Sequence, residues 1–383
     1  MEFELDSGFM TIPTCRGRQL LRALVVVGVM GCGAEVFEQE VRADVETVPR
    51  RLVDFAVGIS DSDAETFSHP AWAGLNVIRA RVVVPYDVAQ RPSNDARRLK
   101  FEAWLQAAAA KSVERYVTLG PSDLRKAANG KYLAPTDVEF RAAFEAFHAT
   151  YPAITLVGAW NEPNFPNSVL QSGVPLDQPT CASEDLEHCG PLRAAFYYRL
   201  VVSICPDCTV AAGEFDATPN DPYWERYRIF LRGHRPKLWS IHPHHDANRY
   251  QASGAHCVPG DSSCTTRTFV NWLGGLDSSW DVGHIWLTEV GAFYRNADGR
   301  VFGDVSQRDT TKFILRLPNL SGRITRIYYY NYTNQCSTAA NCAMQDRGII
   351  APEPWDGTSP GYDTAGRIRP SYAVLRDRDT NGP

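Results

Sequence analysis

The sequence predicts a single (β/α)8 TIM barrel with disulfide-bearing loops, and three observations carry that prediction. Eight short apolar β-type runs are spread between residues 53 and 330. Helical segments separate them, which is the alternation that builds a parallel sheet with helices outside. No Gly-x-Gly-x-x-Gly or Walker-type loop follows any run, which counts against a doubly wound open sheet built around a phosphate.

The elements follow in order. Val53–Ile59 is the first strand and ends in the polar loop Ser60–Asp63. Val77–Val84 is the second and carries Arg79 and Arg81, which face the same way because strand side chains alternate. Phe101–Val113 is helical, and Arg115–Leu119 is strand three. Thr136 and Glu139 form a capping box that opens a helix with Phe140, Phe144 and Phe147 along it. Strand four is Ile154–Glu162, ended by Pro163, which has no N–H for the ladder. Helix Pro191–Ile204, strand Thr209–Gly213, helix Tyr223–Leu231 and strand Lys237–His242 come next. Helix Thr268–Leu273, strand His284–Glu289, helix Gln307–Leu317, strand Ile324–Tyr330 and a closing helix Tyr372–Arg376 complete the set. Loops Phe165–Pro191 and Asp246–Thr266 are long, carry cysteines, and are expected to wall the mouth of the barrel.

Composition is that of an ordinary globular chain: 383 residues, 44% hydrophobic and 22% charged, enough for a sizeable core. A formal charge of −5 gives no basis for nucleic acid or an anionic membrane as partner. Residues 1–34 read as an export signal: Arg16, Arg18 and Arg22 precede the apolar run Ala23–Met30, which is too short to span a bilayer. Met10 is a second candidate start, after an acidic leader. Two endings fit, cleavage after Ala34 or lipidation at Cys32 within Val29-Met30-Gly31-Cys32, so any membrane attachment would run through that lipid anchor. Residues 35–50 read as a polar linker, and 51–383 as the single barrel domain. Eight further cysteines fall into close pairs: Cys181/Cys189, Cys205/Cys208, Cys257/Cys264 and Cys336/Cys342. Four local disulfides in an oxidising compartment are expected, in preference to half a zinc site or a redox motif at Cys205 and Cys208.

Polar residues gather where the strands end, and in a barrel those ends share one rim. Asn161 and Glu162 follow strand four, Glu214 and Asp216 strand five, and His242, His244, His245 and Asp246 strand six. Glu289 ends strand seven, and Tyr330, Asn331 and Tyr332 end strand eight. Two glutamates across one rim could share the work of glycosidic cleavage, one as nucleophile and one as acid then base.

Trp160-Asn161-Glu162-Pro163-Asn164 resembles the Asn-Glu-Pro signature of the clan A glycoside hydrolases, and most nearly the form found in β-xylosidases, α-L-iduronidases and their bacterial relatives. Trp286-Leu287-Thr288-Glu289-Val290-Gly291 resembles the strand-seven nucleophile motif of the same clan. The resemblance implies a retaining glycosidase for an oligo- or polysaccharide, expected to be β-linked, acting as a monomer without metal or organic cofactor. It implies Glu162 as acid/base, Glu289 as nucleophile and Asn161 as a hydrogen-bond partner of the sugar 2-hydroxyl. Arg79, five residues after Gly74, matches the arginine that holds the nucleophile ionised, and His242 a histidine lining the sugar site. Trp160, His244, Tyr330 and Tyr332 complete the expected substrate-binding set. The chain departs from the clan in having His244 where tyrosine is common, and Tyr330-Asn331-Tyr332 where a tryptophan platform is common. Two other readings are a carbohydrate-binding barrel with an inactive site, and a metal-dependent hydrolase using His242, His244 and His245.

Overall fold

The computed structural model describes residues 55–126, 132–165, 190–218, 221–296, 298–333, 345–351 and 367–378. The expected signal and linker, and Cys181, Cys189, Cys336 and Cys342, lie outside these residues. Eight parallel strands pair in chain order and close into a barrel: β1 (Ala56–Ser60), β2 (Arg79–Pro85), β3 (Glu114–Gly120), β4 (Leu156–Gly158), β5 (Thr209–Asp216), β6 (Leu238–His242), β7 (His284–Val290) and β8 (Ile324–Tyr330). Closure is made by β1 against β8, with Ala56 to Ser60 in register with Arg326 to Tyr330.

Nine α-helices are described: α1 (Glu65–Ser68), α2 (Ala96–Ala110), α3 (Asp137–Thr150), α4 (Gly190–Ile204), α5 (Pro222–Phe230), α6 (His244–Ser253), α7 (Thr265–Gly274), α8 (Gly303–Ile314) and α9 (Pro370–Arg376). Their starts follow local chemistry. The Asp95 side chain accepts from the Arg97 and Arg98 backbone N–H groups to open α2. Thr136 and Glu139 form the expected capping box on α3, and its Phe140, Phe144 and Phe147 are buried. Asp221 caps α5, with Pro222 at its first turn.

Most element ends shift by a few residues from the sequence reading, and two differences bear on the site. Helix α6 occupies the first half of what read as a Cys-bearing loop; its polar composition hides the apolar period that marks other helices. Strand β4 ends at Gly158, four residues before Glu162, yet its pairing persists past an irregular step. Asn161 N–H donates to the Leu119 carbonyl (2.8 Å) and Glu162 N–H to the Glu214 carbonyl (3.0 Å).

The barrel interior is stacked in layers. At the amino-terminal end Glu114 takes the Arg326 guanidinium, with Arg79 3.5 Å away. Above it lies an aromatic plug of Tyr116, Trp286 and Tyr328, packed with Ala211, Leu238 and the partly buried Leu156. Above that is a polar layer centred on Arg81. Gly158 is required here, because a Cβ at that position would lie 2.8 Å from the Glu214 carboxyl group. Two disulfides are described, Cys205–Cys208 and Cys257–Cys264, as expected.

Candidate active site

Arg81, fully buried, organises the rim. Its Nη1 donates to Glu289 Oε2 (2.7 Å) and to Ser60 Oγ (3.0 Å). Its Nη2 donates to Asn161 Oδ1 (2.7 Å) and Glu214 Oε2 (3.1 Å) and lies 3.4 Å from His242 Nε2. One guanidinium thus ties β1, β2, β4, β5, β6 and β7 together. Burial opposes its charge, but Glu214 and Glu289 outweigh that and raise its pKa. Glu214 also accepts from the Tyr116 hydroxyl and from Thr118 Oγ1 (3.0 Å), so it is a buried support with no opening to the mouth.

Arg79 does not reach Glu289. Both arginines point into the barrel, but Arg79 sits about 7 Å lower at strand rise, beside Glu114. The contact with Glu289 expected of Arg79 is made by Arg81 instead.

The stretch Trp160–Asn164 divides its work residue by residue. Trp160 is 2% exposed and packs on Tyr86, Phe140 and Tyr197, so it belongs to the core and not to a sugar platform. Arg81 can only donate, so Asn161 must present its oxygen to it, which leaves Nδ2 as the donor for another group. Asn164 bridges to β5, accepting from Asp216 N–H (2.9 Å) and donating to the Asp216 carbonyl (2.7 Å) and Asp221 (2.6 Å). Glu162 itself has φ +45° and Glu214 has φ +52°. Both lie in the left-handed region, a backbone cost of about 1–3 kcal/mol each, as do Asn76, Ser112 and Arg232 away from the site.

The two glutamates have opposite surroundings. Glu162 Oε1 lies 2.9 Å from His242 Nδ1. Because Arg81 donates toward His242 Nε2, the ring proton belongs on Nδ1 and points to Glu162. Burial, reinforced by the Glu289 charge, raises the Glu162 pKa to about 8. Burial would raise Glu289 too, but the His244 N–H and the Arg81 charge prevail and hold it well below the usual carboxylate range. The His244 Nε2 contact to Glu289 Oε1 is long at 3.6 Å, so the Arg81 pair is the firmer of the two. Burial and a neighbouring guanidinium, Arg81 for His242 and Arg347 for His244, push the two histidines down to about 4 and about 3. Asp216, close to both glutamates, is raised to about 8, first by burial and then by the Glu162 charge.

Glu162, His242 and His244 bring one ligand atom each within 4.8 Å of one another, the spacing of a metal cradle. The protein uses those atoms otherwise. His242 Nε2 faces Arg81 and His244 Nδ1 accepts from Arg347, so each imidazole lone pair meets a guanidinium. Metal ligation would have to displace both, and the arrangement does not fit a resident cation. His245 is separate, half exposed and 3.9 Å from Asp246. Asp246 accepts from Thr265 and Thr266 N–H at the start of α7, a capping task.

A cavity of about 550 Å3 opens beside Glu289, lined by Ser60, Asn161, Tyr330 and Asn331 and reaching Arg97 and Lys100 at its outer end. Tyr330 therefore lies at the site, whereas Tyr332 does not: it is buried against Trp72 and bonds His69 through its hydroxyl (2.8 Å). β8 ends in a cis Tyr330–Asn331 peptide, and a Cβ on residue 291 would fall 1.6 Å from the Tyr330 carbonyl oxygen, so only glycine fits after the Glu289 motif. Arg347 gave no sequence signal, because it comes from a loop after β8 with no periodic pattern around it.

No family model and no curated protein sequence matches the chain. Solved structures do share its fold. A glucosidase from Croceicoccus marinus is 11% identical with TM-score 0.55, covering 85% of this chain and 67% of that one. Xylanase 10B from Thermotoga petrophila, solved with xylobiose, is 8% identical with TM-score 0.53, covering 85% and 95%. A psychrophilic family 10 endo-β-1,4-xylanase is 10% identical with TM-score 0.52, covering 84% and 96%. At these identities the likeness speaks for the barrel. The site speaks for itself.

Proposed function

We propose that the chain is a retaining glycoside hydrolase acting on a β-linked oligo- or polysaccharide. The observation that carries this reading is the split between two buried carboxyls, Glu162 held protonated up to about 8 and Glu289 held ionised, with Glu289 and Asn161 lining the cavity. That is the pairing a double displacement requires. Glu289 attacks the anomeric carbon, and Glu162 gives its proton to the leaving oxygen. With Oε1 accepting from His242, the acid proton belongs on Oε2. Formation of the glycosyl ester removes the Glu289 charge and leaves Glu162 ionised, ready to take a proton from water. Asn161, oriented by Arg81, donates Nδ2–H to the 2-hydroxyl. The fold neighbours named as glucosidase and xylanases support a β-glycan as substrate class. The disulfides and the basic, apolar amino terminus support export from the cytoplasm.

The test is hydrolysis of a panel of β-linked polysaccharides and aryl glycosides, with the anomer of the first product read by NMR. Retained configuration is expected, with no product from Glu289→Ala. Azide should rescue that variant and yield the glycosyl azide of opposite anomeric configuration. Equal activity in Glu289→Ala would sink the nucleophile assignment, and an inverted first product would sink the mechanism. Wild-type binding of glycan with no sugar released would favour the inactive-barrel reading instead.

A further inference from the structure

Arg347 is 6% exposed and stands in the active-site wall, although it follows β8 in an irregular loop. The flanking residues explain how the loop delivers it. Asp346 is gripped by Arg369, with Nη2 donating to Oδ2 (2.6 Å) and Nη1 to Oδ1 (3.0 Å). Tyr294 N–H donates to the Asp346 carbonyl (2.7 Å), and Gly348 gives its carbonyl to Arg369 (2.7 Å) and to Gln307 Nε2 (2.9 Å). The two residues beside Arg347 are thus bolted to the loop after β7, to α8 and to the start of α9. Its guanidinium lies 4.0 Å over the Phe293 ring and 6.0 Å from the Tyr330 ring.

From there Arg347 Nη1 bonds His244 Nδ1. Arginine cannot accept, so that ring nitrogen must, and the His244 proton is forced onto Nε2. Nε2 is the atom turned toward Glu289 Oε1, 3.6 Å away. We infer that Arg347 is a positioning residue for the proposed nucleophile: it locks His244 as a neutral Nε2–H donor, so that Glu289 meets a hydrogen-bond donor on one side and a full cation, Arg81, only on the other. A protonated His244 would give Glu289 a second cation and blunt its attack. The groups facing His244 are Arg347 from the post-β8 loop, Glu289 on β7, His242 on β6, Tyr330 on β8 (ring centroids 6.2 Å) and Glu162 beyond β4. The Arg347 cation also favours the ionised form of both glutamates, so it serves each half-reaction in turn.

The inference rests on the retaining-glycosidase reading for its kinetic part, and its closing experiment is readable without turnover. Full-length protein labelled with 15N-histidine is titrated by NMR between pH 5 and 9, with His244→Gln assigning the signal. The expected result is a neutral His244 with the proton on Nε2 throughout. In Arg347→Met the tautomer should become mixed or the ring should begin to protonate, and Arg347→Lys should restore the wild-type pattern. In turnover, Arg347→Met should lower kcat about tenfold, the equivalent of one pKa unit of lost bias, with KM little changed. Its alkaline limb should also move upward. A wild-type His244 with the proton on Nδ1, or protonated at pH 7, overturns the inference, and so does an Arg347→Met tautomer identical to wild type. If Arg347→Met does not fold, the wild-type tautomer alone decides. A wild type that cleaves no glycan would overturn the glycosidase reading and leave the tautomer result standing.

Discussion

Glu162 and Glu289 are chemically the same residue, both nearly fully buried, and they are set up in opposite ways. Each has an imidazole N–H directed at it, from His242 and His244, and each imidazole is held neutral by burial and by a neighbouring arginine. The difference is the balance of charge and burial. Arg81 donates to Glu289 at 2.7 Å, whereas at Glu162 burial and the Glu289 charge outweigh the Arg81 and Arg347 charges. Burial then decides the fate of Glu162, and Arg81 helps decide that of Glu289. The comparison teaches that two equally buried acids are separated by their neighbours: His244 and Arg81 hold Glu289 ionised, while burial and the Glu289 charge keep the proton on Glu162.

The largest expected break in this comparison is Glu289→Ala, which should lower kcat by about 10⁴-fold or more, as loss of a covalent nucleophile does elsewhere. Steady-state rates on an activated aryl glycoside check it. Glu162→Gln should cost about 10²- to 10⁴-fold on substrates with poor leaving groups and much less on activated ones. It should also abolish the alkaline limb. On the proposed mechanism the acid form of Glu162 is the active one, so kcat/KM should fall as pH rises through about 8. The acid limb should lie far below, because Glu289 stays ionised down to unusually low pH.

Arg81→Met removes the cation that separates the pair. Glu214 and Glu289 are left buried without it, and the expected loss is about 3–5 kcal/mol of stability, read by denaturant unfolding, together with most activity. A smaller effect concerns pH. Folded Glu162 keeps its proton up to about 8, against the 4.5 of an ordinary glutamate, so between those values the folded state binds more protons than the unfolded chain. Its contribution to stability therefore declines as pH rises through that window. Glu162→Gln should accordingly gain melting temperature relative to wild type at pH 9 compared with pH 5. The smallest effect is Arg79→Met, within about 1 kcal/mol and without a change in the pH profile, since that side chain is part-exposed at the far end of the barrel.

The pair Arg79 and Arg81 also shows what a sequence can and cannot carry. Alternation along β2 correctly puts both side chains inside the barrel, but depth depends on how β2 registers with β1 and β3, which no single strand encodes. The eight strands were readable because each is an apolar run with polar ends, and β8 matches its expected bounds. Glu162 and Glu289 were readable because carboxylates at such ends are costly without a task. The irregular step at Glu162 was not readable, since it arises from packing against Glu214 on the neighbouring strand. Trp160 and Tyr332 belong to the expected substrate-binding set, but side-chain packing puts both in the core. Arg347 was invisible because it owes its position to Asp346, Arg369 and Gln307, residues brought together only by the closed barrel.

The central claim, that the two glutamates hold opposite charge states before any substrate arrives, is tested most directly by titrating their side-chain carboxyl carbons by NMR in the free protein. The expected result is a Glu162 transition near 8 and a Glu289 signal that remains ionised across the same range. In Glu289→Gln, with the repelling charge gone, the Glu162 transition should shift downward. Ordinary carboxylate transitions for both residues, or a reversed order, would contradict the account.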